Sequence, residues 1–165
     1  GFWGEDMETC RIRAGGFGFE ITAGAGAVTR VQFLPEGAPL LPPGTLLLRQ
    51  AARELEEYFA GKRKTFDVPV AHGKAGFTGR ALDALRRVPW GAVVTYGALA
   101  QAAGNPRAAR AAGRACHDNP VPIFIPCHRV LGANGGLTGF ASGLDHKRAL
   151  LLLEGTGVLE EITAK

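Results

Sequence analysis

The sequence predicts an α+β chain built as two small domains, residues 7–73 and 77–160. Three observations carry that reading. Residues 16–34 alternate apolar and polar side chains, the mark of strands with one face buried. Residues 46–60 repeat their apolar positions with the period of an amphipathic helix. Past the linker-like stretch His72-Gly73-Lys74-Ala75-Gly76, the chain turns to short, Ala-rich helical segments. A chain of 165 residues can bury a real core.

In the first domain, Phe17, Phe19 and Ile21 alternate with Gly18, Glu20 and Thr22. After the turn Gly24-Ala25-Gly26, the segment Val28 to Leu34 is β-branched and aromatic, which completes an antiparallel hairpin. Pro35 to Gly44 is a Pro- and Gly-rich loop. The helix Leu46–Ala60 takes Thr45 as its N-cap and Gly61 as its stop. Leu48, Ala51, Ala52, Leu55, Tyr58 and Phe59 form its inner face, and Arg53 stands four residues before Glu57 as a supporting pair. Thr65 to Val70 reads as a further strand. No catalytic set of residue types gathers in this half.

In the second domain, Thr78 caps a helix Gly79–Arg87, with Ala81, Leu82 and Leu85 inward and Pro89 beyond its end. A short strand, Ala92 to Val94, leads into Thr95. Thr95 caps a helix Gly97–Ala103, closed by Gly104. Asn105 then supplies a cap, with Pro106 at the first position of a helix running to Cys116. Two short helices across a tight turn make a helix-turn-helix. On the second of them Arg107, Arg110 and Arg114 share one face, among Ala and Gly. Ser142 to Asp145 reads as a capping box for a last helix through Glu154, with Leu144, Leu151 and Leu152 inward. Glu154 falls at that helix's C-terminal end, where the macrodipole disfavours an anion; it is therefore exposed or held by a cation.

Composition narrows the class. The chain is 46% apolar and 21% charged, as soluble globular proteins are. No apolar run approaches bilayer length and no secretory signal opens the chain. Met7 is its one methionine, so residues 1–6 read as a non-native remnant. Three cysteines without framework spacing suit a reducing, cytoplasmic setting. The net charge of +4 comes from the second half. Residues 1–76 carry nine Lys/Arg against nine Asp/Glu, and residues 77–165 carry ten against six. Such a basic stripe fits a polyanion, and one-sided arginines on a helix of small residues fit nucleic acid.

The chemistry concentrates at Ile125-Pro126-Cys127-His128-Arg129-Val130. A cysteine at the end of a buried extended segment, next to His and Arg, is expected to have a lowered pKa and to act as a nucleophile. Two rivals fare worse. Cys116-His117 and Cys127-His128 are adjacent pairs, whereas zinc ligands are spaced by two or more residues. In a hydrolytic Cys-His dyad the imidazole comes from elsewhere in the chain, whereas a His directly after the nucleophile needs a water between them. That water-bridged arrangement, with Glu154 orienting the ring, suits one activation of a thiol for alkyl transfer.

The segments PVPIFIPCHRV, LTGF, LLLLEG and VVTYGALAQAAGNPRAARAAG resemble the O6-alkylguanine-DNA alkyltransferases (methylated-DNA-protein-cysteine methyltransferases) from about Phe77 to Gly155. LEEYFAGKR, within Leu46 to Val70, resembles their N-terminal domain. The resemblance implies an N-terminal α/β (ribonuclease H-like) domain and a mostly α-helical C-terminal one. It implies stoichiometric transfer of a methyl or small alkyl group from O6 of guanine, and from O4 of thymine, in double-stranded DNA, with the damaged nucleotide flipped out.

The implied site follows residue by residue. Cys127 would accept the alkyl group, with His128 as water-mediated base and Glu154 as its orienting acid. Tyr96 would approach a phosphate and donate to the flipped guanine, and Arg110 would fill the gap left in the stack. Asn105, Thr78 and Arg107 would join the DNA contacts, with the arginine helix in the minor groove. Asn119 would tie the helix-turn-helix to the cysteine segment. The carbonyls of Cys127 and Val130 would take the guanine amino group, and Phe140 and Ala141 would line the pocket. Some relatives hold a structural zinc in the first domain; Cys10 and His72 match two ligands, but Ala23 and Arg30 replace the others, so no metal or other cofactor is implied. A monomer is implied too. Ala81-Leu82, Ala149 and Ser142 depart from the common pattern, the last bearing on alkyl size. The alternative class is a non-enzymatic sensor of alkylated DNA, but relatives of that kind lack the cysteine that this chain has at 127.

Overall fold

The structure, a computed structural model, describes residues 7–133, 140 and 143–155. The chain divides between His72 and Gly73 into two compact units. In the first, β1 (Glu8–Ala14), β2 (Phe17–Gly24) and β3 (Ala27–Leu34) form an antiparallel sheet in sequence order. The hairpin expected at 16–34 is β2–β3. The strand β1 adds to it, with Cys10, Ile12 and Ala14 buried and Arg11 paired across to Glu20 at 2.9 Å. Between β1 and β2, Gly15 and Gly16 both have positive φ, +61° and +84°. A Cβ on Gly15 would lie 2.2 Å from the Phe59 ring, so glycine there satisfies both the turn and the packing.

The helix α1 (Leu46–Phe59) starts where expected, with Thr45 Oγ1 accepting from the Leu48 amide at 3.2 Å. Leu48, Ala51, Ala52, Leu55 and Tyr58 are buried, as are Phe19, Ile21, Val28 and Val31 of the sheet. Phe59 and Phe33 stack on Phe19, with centroids 5.6 and 4.7 Å away. Two details differ from the expectation. Glu57 pairs with Arg63 at 3.1 Å rather than with Arg53. Residues 65–70 are not a strand; they touch the sheet through a single bridge, Val28 to Val70. Their amides are otherwise engaged. Glu54, buried on the inner face of α1, accepts from Asp67 N at 2.8 Å and Val68 N at 3.1 Å, and also takes Gln50 Nε2 at 2.8 Å. A buried carboxylate thus does for this segment what a neighbouring strand would otherwise do.

The second unit holds α2 (Gly76–Leu85), β4 (Val94–Thr95), α3 (Tyr96–Ala102), α4 (Ala109–His117), β5 (Val130–Leu131) and α5 (Leu144–Leu153). The first strand expected here is β4, shifted to Val94–Thr95 and paired in parallel with β5. Thr95 caps α3 as expected, accepting from Ala98 N at 3.0 Å. Ala81, Ala103 and Ala115 meet in one buried cluster with Phe77 against it, so α2, the end of α3 and α4 approach closely.

Three expected helix starts move. Thr78 is not a cap: α2 begins at Gly76, two residues before it. Asn105 is not the cap of α4 either. Its side chain accepts from Arg107 N at 3.1 Å and its carbonyl from Ala108 N at 3.0 Å, which closes a turn, and α4 begins only at Ala109. Arg107 therefore lies outside the helix, and Arg110 and Arg114 alone share its face. The last helix starts after Gly143, whose φ of +115° turns the chain into α5 without a side-chain cap; Ser142 lies outside the described residues. Its inner face also differs. Leu144 and Leu152 are 43% and 50% exposed, whereas Lys147, Leu150, Leu151 and Glu154 are buried. Polar groups occupy positions that apolar periodicity would have assigned to leucines.

Glu54→Ala should cost about 2–4 kcal/mol of the first unit's stability, because it leaves two inward-facing amides unpaired. A lower urea midpoint for that unit is the expected reading; an unchanged midpoint would show that the carboxylate does not hold residues 65–70.

Candidate active site

The cysteine segment is shaped by its backbone. Asn119, just past α4, donates from Nδ2 to Ile125 O at 2.9 Å and accepts from Val121 N at 3.0 Å. The Ile125 amide closes back on Val121 O at 2.9 Å. Within that loop Ile123 is buried with φ +74°, a left-handed conformation that costs a β-branched residue on the order of 1–3 kcal/mol. Cys127 was expected at the end of an extended run; instead Cys127–Arg129 form one turn of 3-10 helix after Pro126. The carbonyl of Cys127 accepts from Val130 N, and that of Val130 from Lys147 Nζ.

The 3-10 turn sends Cys127 and His128 to different partners. His128 Nε2 lies 2.7 Å from Glu154 Oε2, and Arg129 donates to the same carboxylate at 2.8 and 2.9 Å. Arg129 also donates to Val88 O at 2.6 Å. All three side chains are buried. Glu154 therefore meets the second of its two expectations, a positive partner rather than exposure. A carboxylate accepts, so Nε2 carries the proton and Nδ1 is left with its lone pair. Burial lowers the His128 pKa, with the Arg129 charge adding to that effect and the Glu154 hydrogen bond opposing it. Its Nδ1 is buried with no hydrogen-bond partner among the described residues. The ring is a neutral base whose acceptor nitrogen stands ready.

The thiol itself departs from expectation. Burial pushes Cys127 up to about 11, against the Asn119 hydrogen bond and the Lys147 charge, which pull it down. The resting group is a neutral thiol. Lys147, fully buried on α5, is lowered to about 8 by the same burial, an effect that a thiolate at Cys127 or Cys116 would oppose. Its Nζ also sits 5.9 Å from the centre of the Tyr96 ring. Sequence reasoning missed Lys147; its signal was the spacing 147, 150, 151, 154, a helical stripe with charged ends.

Cys127 opens onto a cavity of about 40 Å³ lined by Tyr96, Gly113, Cys116, His117 and Phe140. Of the expected residues, Cys127, Tyr96 and Phe140 meet there, with His128, Glu154, Asn119 and Val130 packed behind. Arg110, Arg107 and Asn105 are exposed and do not line it. Thr78 is half-buried in α2 and does not line it either. Ala141 lies outside the described residues. Gly113, Cys116 and His117 join the site unforeseen, all from α4. Cys10 lies buried in β1 with its thiol pushed up to about 11, and no cluster of three or more His, Cys, Asp or Glu suited to a metal exists among the described residues. No described helix is long and apolar enough to cross a membrane.

Known proteins resemble this chain in both sequence and fold. A family model described as the DNA binding domain of 6-O-methylguanine DNA methyltransferase matches residues 76–156, and its ribonuclease-like domain matches residues 40–72. The methylated-DNA–protein-cysteine methyltransferase of Methanosarcina acetivorans is 53% identical over 108 residues, which cover 66% of this chain and 69% of that protein. The crystal structure of Mycobacterium tuberculosis O6-methylguanine methyltransferase superposes with a TM-score of 0.80 at 34% identity, covering 90% of this chain and 92% of that one. The M. tuberculosis OGT in complex with DNA superposes with a TM-score of 0.79 at 36% identity, over 90% and 95% of the two chains.

Labelling of Cys127 by iodoacetamide, which reads the thiolate, should rise with a midpoint near 11 in the folded protein and near 8.5 in the denatured chain. The shift runs upward because folding disfavours the anion, so labelling at pH 8 should be slower than for a denatured control. A folded midpoint at or below 8.5 would contradict a neutral resting thiol.

Proposed function

The chain belongs to the methylated-DNA–protein-cysteine methyltransferase family, and from that premise we propose that it repairs double-stranded DNA by taking a methyl or small alkyl group onto Cys127. The group comes from O6 of guanine, and from O4 of thymine. A carbon–sulfur bond forms as the carbon–oxygen bond breaks. The electron pair of the broken bond stays with the base, which takes up a proton. The thioether is permanent, so each molecule acts once. The observation that carries this reading is Cys127 opening onto a cavity walled by Tyr96 and α4 while the next residue is an oriented neutral base.

His128 Nδ1 takes the thiol proton through a bridging water, Glu154 holds the ring in the required tautomer, and Lys147 offsets the charge of the new thiolate. Tyr96 donates to the flipped base, and the carbonyls of Cys127 and Val130 take its amino group. Phe140 and Ala141 flank it. Arg110 enters the gap left in the duplex, with Thr78, Asn105 and Arg107 on the backbone, as base flipping requires something to replace the lost stacking. The two helices α3 and α4 work as a helix-turn-helix whose Ala and Gly let the backbone approach DNA closely. Asn119 couples that motif to the thiol. Residues 7–73 form the ribonuclease H-like domain and residues 77–160 the acceptor domain. The protein works as a cytoplasmic monomer without a cofactor.

Exposure to duplex DNA carrying O6-methylguanine should add one methyl group to the peptide holding Cys127, read by mass. An unmodified peptide would reject transfer and leave a lesion sensor as the better reading. Cys127→Ala should lose transfer and keep DNA binding. Arg110→Ala should slow transfer from duplex DNA on the order of tenfold, with a milder loss on free benzylguanine, which needs no flipping; equal losses would contradict its role in the gap.

A further inference from the structure

On α4, Arg110, Arg114 and His117 follow one another at spacings of four and three. At 100° per residue they fall within about 60° of each other, and all three are exposed. They form one basic stripe along the helix. Gly113, Cys116 and His117 of the same helix line the cavity that holds Cys127. His117 is the one residue that belongs to both sets: it ends the stripe and begins the cavity wall. It is a terminal position on the helix, with its side chain 70% exposed and its Nδ1 3.3 Å from Asp118 Oδ1. The carboxylate engages one ring nitrogen, which leaves the other for a second partner.

We propose that His117 binds a backbone phosphate of the extruded nucleotide, at the point where the duplex-facing stripe of α4 gives way to the cavity of Cys127. The inference rests on the reading that this chain flips a nucleotide from duplex DNA. A nucleotide whose base enters this cavity brings its phosphates past the cavity rim, and His117 is the rim residue able to give a charge-assisted hydrogen bond. One ring nitrogen faces Asp118, and the other, as an N–H, donates to the charged phosphodiester. Such a contact positions the nucleotide without reading its base. His117 is therefore a positioning residue, distinct from the buried His128, and it matters most when the alkylated base arrives attached to a strand.

The test compares alkyl transfer by wild type, His117→Ala and His117→Arg from O6-methylguanine in duplex DNA and from free benzylguanine. His117→Ala should slow the duplex reaction about tenfold and the benzylguanine reaction by a clearly smaller factor, since His117 also lines the cavity. His117→Arg should restore the duplex rate to within about threefold of wild type, since a guanidinium also grips phosphate. Equal loss on both substrates, an unimpaired duplex rate in His117→Ala, or no recovery with Arg would each overturn the inference alone. Wild-type protein inert toward both substrates would instead overturn the functional reading, and this inference with it.

Discussion

The second unit depends on the carboxylate of Glu154. It is buried at the C-terminal end of α5, where the helix dipole opposes an anion, and it is held there by Arg129 and His128. Arg129 balances its charge and reaches on to Val88 O, so one buried cluster links the end of α5, the 3-10 turn and the chain after α2. Breaking such a cluster by removing one partner costs about 3–5 kcal/mol. Its chemical consequence matters as much as its stability. An imidazole beside a lone carboxylate would tend to stay protonated. Burial, with Arg129 as the carboxylate's counter-ion, keeps His128 a neutral ring of defined tautomer.

The thiol next to it is controlled differently. Cys127, Cys116 and Lys147 share a dry neighbourhood in which each charged form is penalised. A buried, protonated cysteine is a poor target for stray electrophiles and oxidants, since the thiolate is the reactive form. For a residue that can react only once, that protection is useful. The strained loop at Ile123 and the Asn119 bonds hold the sulfur at that cavity rather than in the core.

Both units place a glutamate where sequence patterning predicts an apolar or exposed residue. Glu54 sits on the inner face of α1 and ties down residues 65–70; Glu154 sits inside α5's end and orients the site. The first carboxylate stands in for an expected strand, and the second takes the cation-held alternative to an exposed helix end. The misplaced caps have a related cause. Thr78 and Asn105 have cap-type side chains, but side-chain propensity is a small energy, and the close Ala81–Ala103–Ala115 contact and the turn at Asn105 override it.

The sequence by itself determined the elements whose signals are local. The β2–β3 hairpin, the Thr45-capped helix α1 and the Thr95-capped helix α3 each follow from side chains within a few residues of one another. It also determined which cysteine matters, because Pro-Cys-His-Arg is a local pattern. Only the tertiary structure decided that the resting thiol is neutral, that Lys147 stands beside it, and that Arg129 rather than solvent balances Glu154. Those properties depend on desolvation and on groups brought together from α3, α4, the 3-10 turn and α5, and burial of a charge is a property of the assembled fold that no window of sequence contains.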